Sequence, residues 1–326
     1  MKIGFIGCGG IANNKHMPAL AKLSAKCEMV AFCDIIREKA EKAAQEYGTP
    51  DAAVYTDYRD LVARDDIEVI HVLTPNSSHA ELSIAALEAG KHVLCEKAFM
   101  LNAREAEEVF ALARERGLFV AEAIWTRYQP ARRILNEIIG SGEIGAPKFL
   151  TAHLGYPILH KERVRKAELG GGALLDIGVY CLNFAVMNFG HDISEVTTSC
   201  VKNEEGVDIS ETIILKYSDG RMASLTTTVL SANYRQGVIL CDNGSISTEN
   251  INNPLSFDIY SRDQKFVRKV EAPRQESGFE YEVQECIDSI RAGLLEPPSM
   301  PHEETLFMMR LMDNLRKQWG VRFPGE

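Results

Sequence analysis

The chain has 326 residues, 45% hydrophobic and 25% charged, with a net charge of −10; that length exceeds one ordinary core and implies two domains of roughly 120 to 200 residues each. The acidic balance excludes a nucleic-acid binder and a binder of anionic membranes, which need basic surface. No apolar run reads as long enough to span a bilayer and no leader precedes Lys2, so a cytoplasmic protein is expected.

In chain order, a short apolar strand from Lys2 runs into Gly7-Cys8-Gly9-Gly10-Ile11-Ala12, which fits G-x-G-x-x-A, and a second strand, Met29 to Cys33, ends in Asp34. Gly7 permits a tight turn, Gly9 lets the backbone approach a pyrophosphate, and Ala12 lets the following helix pack closely while its N-terminus faces the anion. Asp34 lies 22 residues past Ala12, near the offset at which a carboxylate accepts hydrogen bonds from the adenosine ribose. Arg37 to Tyr47 reads as an amphipathic helix closed by Gly48, Val69 to Thr74 as a buried strand ending at Pro75-Asn76, and Ser78 to Ala89 as a helix with Gly90 just beyond it. His92 to Cys95 is the next strand, Asn102 caps a helix reaching Arg116-Gly117, and Leu118 to Ala121 closes the set. Repeated βα units predict a doubly wound parallel sheet over residues 1–122, with ligands at the carboxyl ends of its strands.

Those strand ends carry Asp34, Thr74-Pro75-Asn76 and Glu96-Lys97. An ammonium at Lys97 is able to hydrogen-bond a substrate oxygen and to favour ionisation of a nearby phenol, although a strand-end lysine taken alone is more often a solvated charge. His79 reads either as a helix-start residue or as a donor in the cleft.

Residues 123–326 form the second expected domain, for substrate binding and dimerisation. Gln129 to Ile139 is a helix, and Lys148 to Leu154 a strand with His153 and Tyr156 as candidate lining. Gly171 to Asn188 then reads as a helix whose opening glycines offer a backbone that a ligand can approach, and on which Asp176 and Tyr180 stand one turn apart. From Glu195 to Val270 strands alternate with turns at Asn203 to Gly206, Ser218-Asp219-Gly220 and Asp242-Asn243-Gly244. Met222, Ser224, Thr226 and Thr228 share one face of a strand and Ala223, Leu225, Thr227 and Val229 the other; neither is charged, so both are expected to be covered, one by helices and one by a second subunit. Phe279 to Ala292 and Glu303 to Trp319 are helices, and the last is expected to dock on the first domain. The eight cysteines show no CxxC and read as small buried hydrophobes kept reduced; without HExxH or a Cys/His cluster no metal is expected.

Taken together, Gly7-x-Gly9-x-x-Ala12, Thr74-Pro75-Asn76-x-x-His79, Glu96-Lys97 and Gly171-Gly172-x-x-x-Asp176-x-Gly178-x-Tyr180 resemble the glucose-fructose oxidoreductase / inositol dehydrogenase / MocA family. Glu122-Ala123-x-Trp125-x-Arg127 is most similar to its dimeric dihydrodiol dehydrogenase branch. The resemblance implies a Rossmann domain followed by an α/β domain with a large, mostly antiparallel open sheet, and NAD(P)-linked chemistry on a sugar, polyol or diol. It implies Lys97 as catalytic lysine, Asp176 as substrate-orienting carboxylate and Tyr180 as acid/base. Trp125, Arg127, Tyr156 and Phe279 are candidate pocket lining, the first two for the cofactor and the last two for the substrate. The family's Glu-Lys-Pro is Glu96-Lys97-Ala98 here, and Ile35 follows Asp34 where NADP-preferring relatives often carry small or basic residues. The Asp34 carboxylate would repel a 2′-phosphate, which favours NAD, while Arg37 keeps NADP open.

The expected function is therefore an NAD(P)-dependent dehydrogenase or reductase acting on CH–OH, with a small-molecule substrate and a homodimer formed through the C-terminal sheet. None of the ten tyrosines has lysine four residues on, which excludes the short-chain pattern. A non-catalytic dinucleotide sensor and an enzyme using transient oxidation without net NADH are the alternatives.

Overall fold

Apolar strands buried on both faces need helices on either side, and that is how the first part of the chain folds. The computed structural model describes residues 1–275 and 277–326. The chain divides into two units, Met1–Tyr128 with Glu276–Met309, and Gln129–Gln275 with Arg310–Glu326. The first boundary thus lies six residues beyond the expected 122, and a late segment returns to the first unit.

In the first unit β1 (Lys2–Ile6), α1 (Met17–Ala21), β2 (Glu28–Cys33), α2 (Arg37–Tyr47), β3 (Ala53–Tyr55) and α3 (Tyr58–Val62) are followed by β4 (Val69–Val72), α4 (His79–Glu88), β5 (His92–Glu96), α5 (Ala103–Arg116) and β6 (Val120–Ala123). The six strands lie in the order β3-β2-β1-β4-β5-β6, all parallel. The order reverses between β1 and β4, the topological switch point outside which this architecture binds ligands. Local chemistry fixes the ends: the Asn102 side chain accepts the Glu105 N–H at 3.0 Å, and Gly117 ends α5 in the left-handed region. β3 and α3 carry no periodicity long enough to read from sequence.

The second unit contains α6 (Pro130–Gly140), β7 (Pro147–Gly155), α7 (Glu162–Arg165), α8 (Val179–Phe189), β8 (Ile193–Lys202), β9 (Asp208–Tyr217), β10 (Met222–Thr228), β11 (Gly237–Cys241), β12 (Gly244–Thr248), β13 (Ser256–Ser261) and β14 (Phe266–Glu271). Its eight-stranded sheet runs β14-β13-β12-β11-β7-β10-β9-β8, parallel only between β7 and β10. The architecture expected from sequence, a Rossmann sheet and then a large, mostly antiparallel sheet, is the one the chain forms. The three turns between β8 and β12 fall where Asn203, Asp219 and Asn243 mark them. Along β10 burial alternates strictly, with Ala223, Leu225 and Thr227 inside. Phe184 of α8 packs beside Gly237 on that buried face. The opposite face stays half-exposed within one chain, so the expectation that both are covered holds here for one face only.

α9 (Phe279–Arg291) belongs to the first unit, and α10 (His302–Trp319) begins in the first and ends in the second. The expectation that no apolar stretch reaches membrane-spanning length needs correction. Ala167–Phe189, 23 residues broken by the glycines at 170–172, is long and apolar enough by composition, with a mean hydropathy of 1.5, and 89% of its apolar window is buried in the protein, as in a core segment. All eight cysteines are free, six of them buried.

Candidate active site

The glycine-rich turn is built by steric exclusion. Gly7 has φ +98°, and a Cβ there would lie 2.5 Å from the Leu73 carbonyl oxygen, so no other residue fits. Its N–H donates to Cys33 O at 2.8 Å, which clamps the turn to β2. A Cβ on Gly9 would meet nothing within 4 Å: this backbone has an open side, as a pyrophosphate cradle needs. Gly10 is exposed, Ile11 half-exposed, and Cys8 and Ala12 are buried. Asp34 accepts the Cys8 N–H and the Ile36 N–H, both at 2.9 Å, and keeps a half-exposed carboxylate beside the turn. Ile35 is 91% exposed, and Arg37 pairs with Glu41 at 2.8 Å. The donor set fits a dinucleotide.

Thr74 and Asn76 are half-exposed and Pro75 exposed at the carboxyl end of β4. His79 is fully buried instead, its Nε2 3.0 Å from Thr74 O and its Nδ1 3.0 and 3.1 Å from the Ala98 and Phe99 carbonyls. Of its two sequence readings, the structure gives a brace between the strand-end loops that flank Lys97.

Lys97 is half-exposed at the carboxyl end of β5, and the Lys97–Ala98 peptide bond is cis. The residues on both sides of it are tied inward. Glu96 is buried and lies 2.6 Å from His16 Nε2, while His16 Nδ1 lies 3.2 Å from Glu282 Oε1 in α9. Burial alone would lower the His16 pKa, but Glu282 and Glu96 outweigh it and hold the imidazolium up to about 9. Burial pushes Glu282 up to about 7 against the pull of His16, and it keeps the adjacent His71 neutral. Glu122, buried and also pushed up to about 7 by burial, accepts the Phe99 N–H at 3.2 Å and the Thr305 hydroxyl at 3.1 Å.

Trp125 stacks on Phe279 with ring centroids 4.4 Å apart, and Phe279 meets His16 edge-on at 4.9 Å. Arg127 is 2% exposed, its guanidinium 2.6 Å from Glu304. These aromatic and ionic contacts tie the segment after β6 to α9 and α10 inside the first unit.

In the second unit Tyr156 follows β7, half-exposed, with the Arg235 guanidinium 5.7 Å from its ring centre. His153 bonds Thr226 on the half-exposed face of the sheet, opposite the face packed by α8, and so is not beside the Asp176 segment. The expected helix from Gly171 begins three residues later, as a π-turn over Leu174–Gly178 that passes into α8. Asp176 lies in the π-turn, 8% exposed, and accepts from Arg163 at 2.5 Å; Tyr180 is half-exposed in the first turn of α8. The free side of Gly171 is filled by the chain itself: a Cβ there would lie 2.6 Å from Val164 O and 2.7 Å from Lys166 O. It serves close packing of the backbone and not, as its sequence suggested, approach of a ligand.

His16, Glu122, Glu282 and Arg163 were not marked as site residues by sequence. Glu122 had a signal, its place in the Glu-Ala-x-Trp-x-Arg segment; the others lie outside any recognisable spacing.

Residues 1–123 match the family model for the GFO/IDH/MocA oxidoreductases with an NAD-binding Rossmann fold, and residues 133–247 match the GFO/IDH/MocA C-terminal domain. The trans-1,2-dihydrobenzene-1,2-diol dehydrogenase of Xenopus tropicalis is 33% identical over 330 residues, covering 99% of both chains. The human protein of the same name is 31% identical, covering 100% of this chain and 99% of its own. Among solved structures, KijD10, a 3-ketoreductase from Actinomadura kijaniata in complex with NADP and TDP-benzene, superimposes with a TM-score of 0.89 at 27% identity over 97% of each chain.

Folding raises the His16 pKa from 6.5 to about 9, so its contribution to stability is complete below pH 6.5 and is lost as pH climbs through 9. Denaturant unfolding at pH 7 and pH 10 should therefore show a loss in the parent protein about 3 kcal/mol larger than in His16→Gln. Equal losses in the two proteins would count against a charged His16.

Proposed function

Because the chain is a member of the GFO/IDH/MocA oxidoreductase family, an NAD(P)-dependent dehydrogenase or reductase, we propose that it interconverts a hydroxyl and a carbonyl carbon of a sugar, polyol or vicinal diol, with Tyr180 as acid/base, Lys97 as its assistant and Asp176 orienting a second hydroxyl. The strongest support is the setting of Lys97: a half-exposed ammonium at a strand end of the Rossmann sheet, with His79, Glu96 and Glu122 bracing its loop from behind. The names of the Xenopus and human relatives, with a diol as substrate, support the substrate class.

The turn from Gly7 to Ala12 would hold the pyrophosphate and Asp34 the adenosine ribose. When bound, the nicotinamide supplies or accepts the hydride. In the oxidising direction Tyr180 Oη takes the hydroxyl proton while the C–H hydrogen leaves with its electron pair and a carbonyl remains. An unperturbed phenol titrates near 10, so the step requires a cation such as Lys97 to favour the phenolate. Arg163, bonded to Asp176 Oδ1, fixes the direction in which that carboxylate meets a substrate hydroxyl.

A panel of sugars, polyols and trans-diols with NAD and NADP, followed by absorbance of the reduced nicotinamide, identifies the substrate. With the best of these, Tyr180→Phe and Lys97→Ala should each lower kcat about 10²- to 10⁴-fold while cofactor binding, read by fluorescence, persists. Near-parental turnover in both would reject the assignment.

We further propose that the cofactor is NAD, since a 2′-phosphate would meet the Asp34 carboxylate and since Arg37 is held by Glu41. Asp34→Asn removes the charge and should shift the NAD/NADP ratio of kcat/KM towards NADP about tenfold or more. An unchanged ratio would place the ribose contact elsewhere.

The half-exposed face of the second sheet, with Thr151, Thr212, Ile214, Ser224 and Val238, is proposed to meet the same face of a second copy. Sedimentation should give twice the chain mass, and Ile214→Arg should give the chain mass; a parental monomer would dismiss this.

A further inference from the structure

Two carboxyls lie directly beneath the segment that carries Asp176 and Tyr180. Asp208 is 1% and Glu211 3% exposed, both on β9. Asp208 Oδ2 accepts the N–H of Leu174, the first residue of the π-turn, at 2.6 Å. The opening N–H groups of a helical segment have no partner within it, and an anion is favoured there. The glycines of the segment are explained by the same pair. A Cβ on Gly172, at φ +125°, would stand 2.6 Å from Asp208 Oδ1, and one on Gly178 would collide with Glu211 Oε1. Both glycines thus make room for carboxyls of the chain itself.

We propose that Asp208 and Glu211 are positioning residues for the oxidoreductase reaction: two carboxyls sharing one proton that fix the start and register of the π-turn, and with it Asp176 and Tyr180. This rests on the reading of Tyr180 as acid/base. Two buried carboxyls in contact do not both ionise. Burial, then the negative charge of Asp208, drives the Glu211 pKa far above the carboxylate range, so Glu211 keeps the proton. Burial raises Asp208 as well, but the hydrogen bond from Glu211 and the amides of Leu174 and Ala173 oppose it, so Asp208 holds the charge. Across the strands Glu211 faces Thr227 on β10 and Cys200 on β8. Neither supplies a cation. An ionised Glu211 would therefore press a second negative charge against Gly178 and loosen the turn. A π-turn needs such support, because its wide hydrogen-bonded ring is rare and recurs at functional sites.

The test compares Glu211→Gln, which keeps the length and an N–H for Asp208, with Glu211→Met, which keeps the length alone. Per mole of folded, cofactor-binding protein and with the best substrate of the panel, Glu211→Gln should retain kcat to within about threefold. Glu211→Met should lose about tenfold or more with the KM for the cofactor unchanged, since the cofactor residues belong to the other unit. Parental kcat in Glu211→Met, or an equal loss in both variants, overturns the proposal. Should Glu211→Met fail to fold, Gly178→Ala crowds the same carboxyl and must show the same loss at unchanged cofactor KM; parental kcat there overturns the proposal too. Tyr180→Phe is assayed alongside. Parental kcat in Tyr180→Phe overturns the acid/base reading itself, whereas loss in Tyr180→Phe with parental kcat in Glu211→Met overturns the positioning role alone.

Discussion

Desolvation of carboxyls is the constraint on which the rest of this structure depends. Removing a carboxylate from water costs several kcal/mol, a large share of a net stability of about 5 to 15 kcal/mol. Glu122, Glu211 and Glu282 are all nearly or fully buried, so each must be paired or protonated. The chain uses a different remedy for each. Glu282 and Glu96 take one imidazolium between them, Glu122 keeps a raised pKa with two hydrogen bonds, and Glu211 shares a proton with Asp208. Each remedy fixes the geometry of what it touches, because a buried polar network tolerates little displacement. The segments held this way are the ones beside Lys97 and the one bearing Asp176 and Tyr180.

Beside this scaffold Lys97 and Tyr180 stand half-exposed, and Asp176, with its arginine partner, is buried within the π-turn. A side chain held by a braced backbone loses less freedom when a ligand arrives, so more of the binding energy remains for orientation. The buried ionic groups act at the level of packing, and their effect on function passes through placement.

The sequence was most legible where the physics is local. Gly7 is required by one carbonyl oxygen, Asn102 by one amide, and the β9–β10 turn by Asp219-Gly220, and each leaves its mark within a few residues. The order of βα units was legible for the same reason, since each strand and helix declares its own period. What could not be read depends on residues far apart in the chain. Nothing near His16 announces Glu282, and nothing near Leu174 announces Asp208. The π-turn left no signature, so the helix was expected to start at Gly171. Gly171 is ambiguous in sequence because a bare backbone accommodates a ligand or the protein equally well, and in the fold Val164 and Lys166 fill the space.

The return of the chain to its first unit has a consequence for synthesis. Glu282, the Leu295 carbonyl that accepts from Val120, and His302 against Val120 O all come from the late segment. A ribosome must add about 150 residues after Tyr128 before any of them exists, which takes roughly seven to thirty seconds at bacterial and eukaryotic elongation rates. Throughout that interval β6 lacks its Leu295 and His302 contacts, and the His16 imidazole has Glu96 but not Glu282. The large sheet, encoded in between, is complete in sequence before the nucleotide-binding half is. The dinucleotide fold of this protein therefore begins first, yet its own chain is finished only after the large sheet, at Met309.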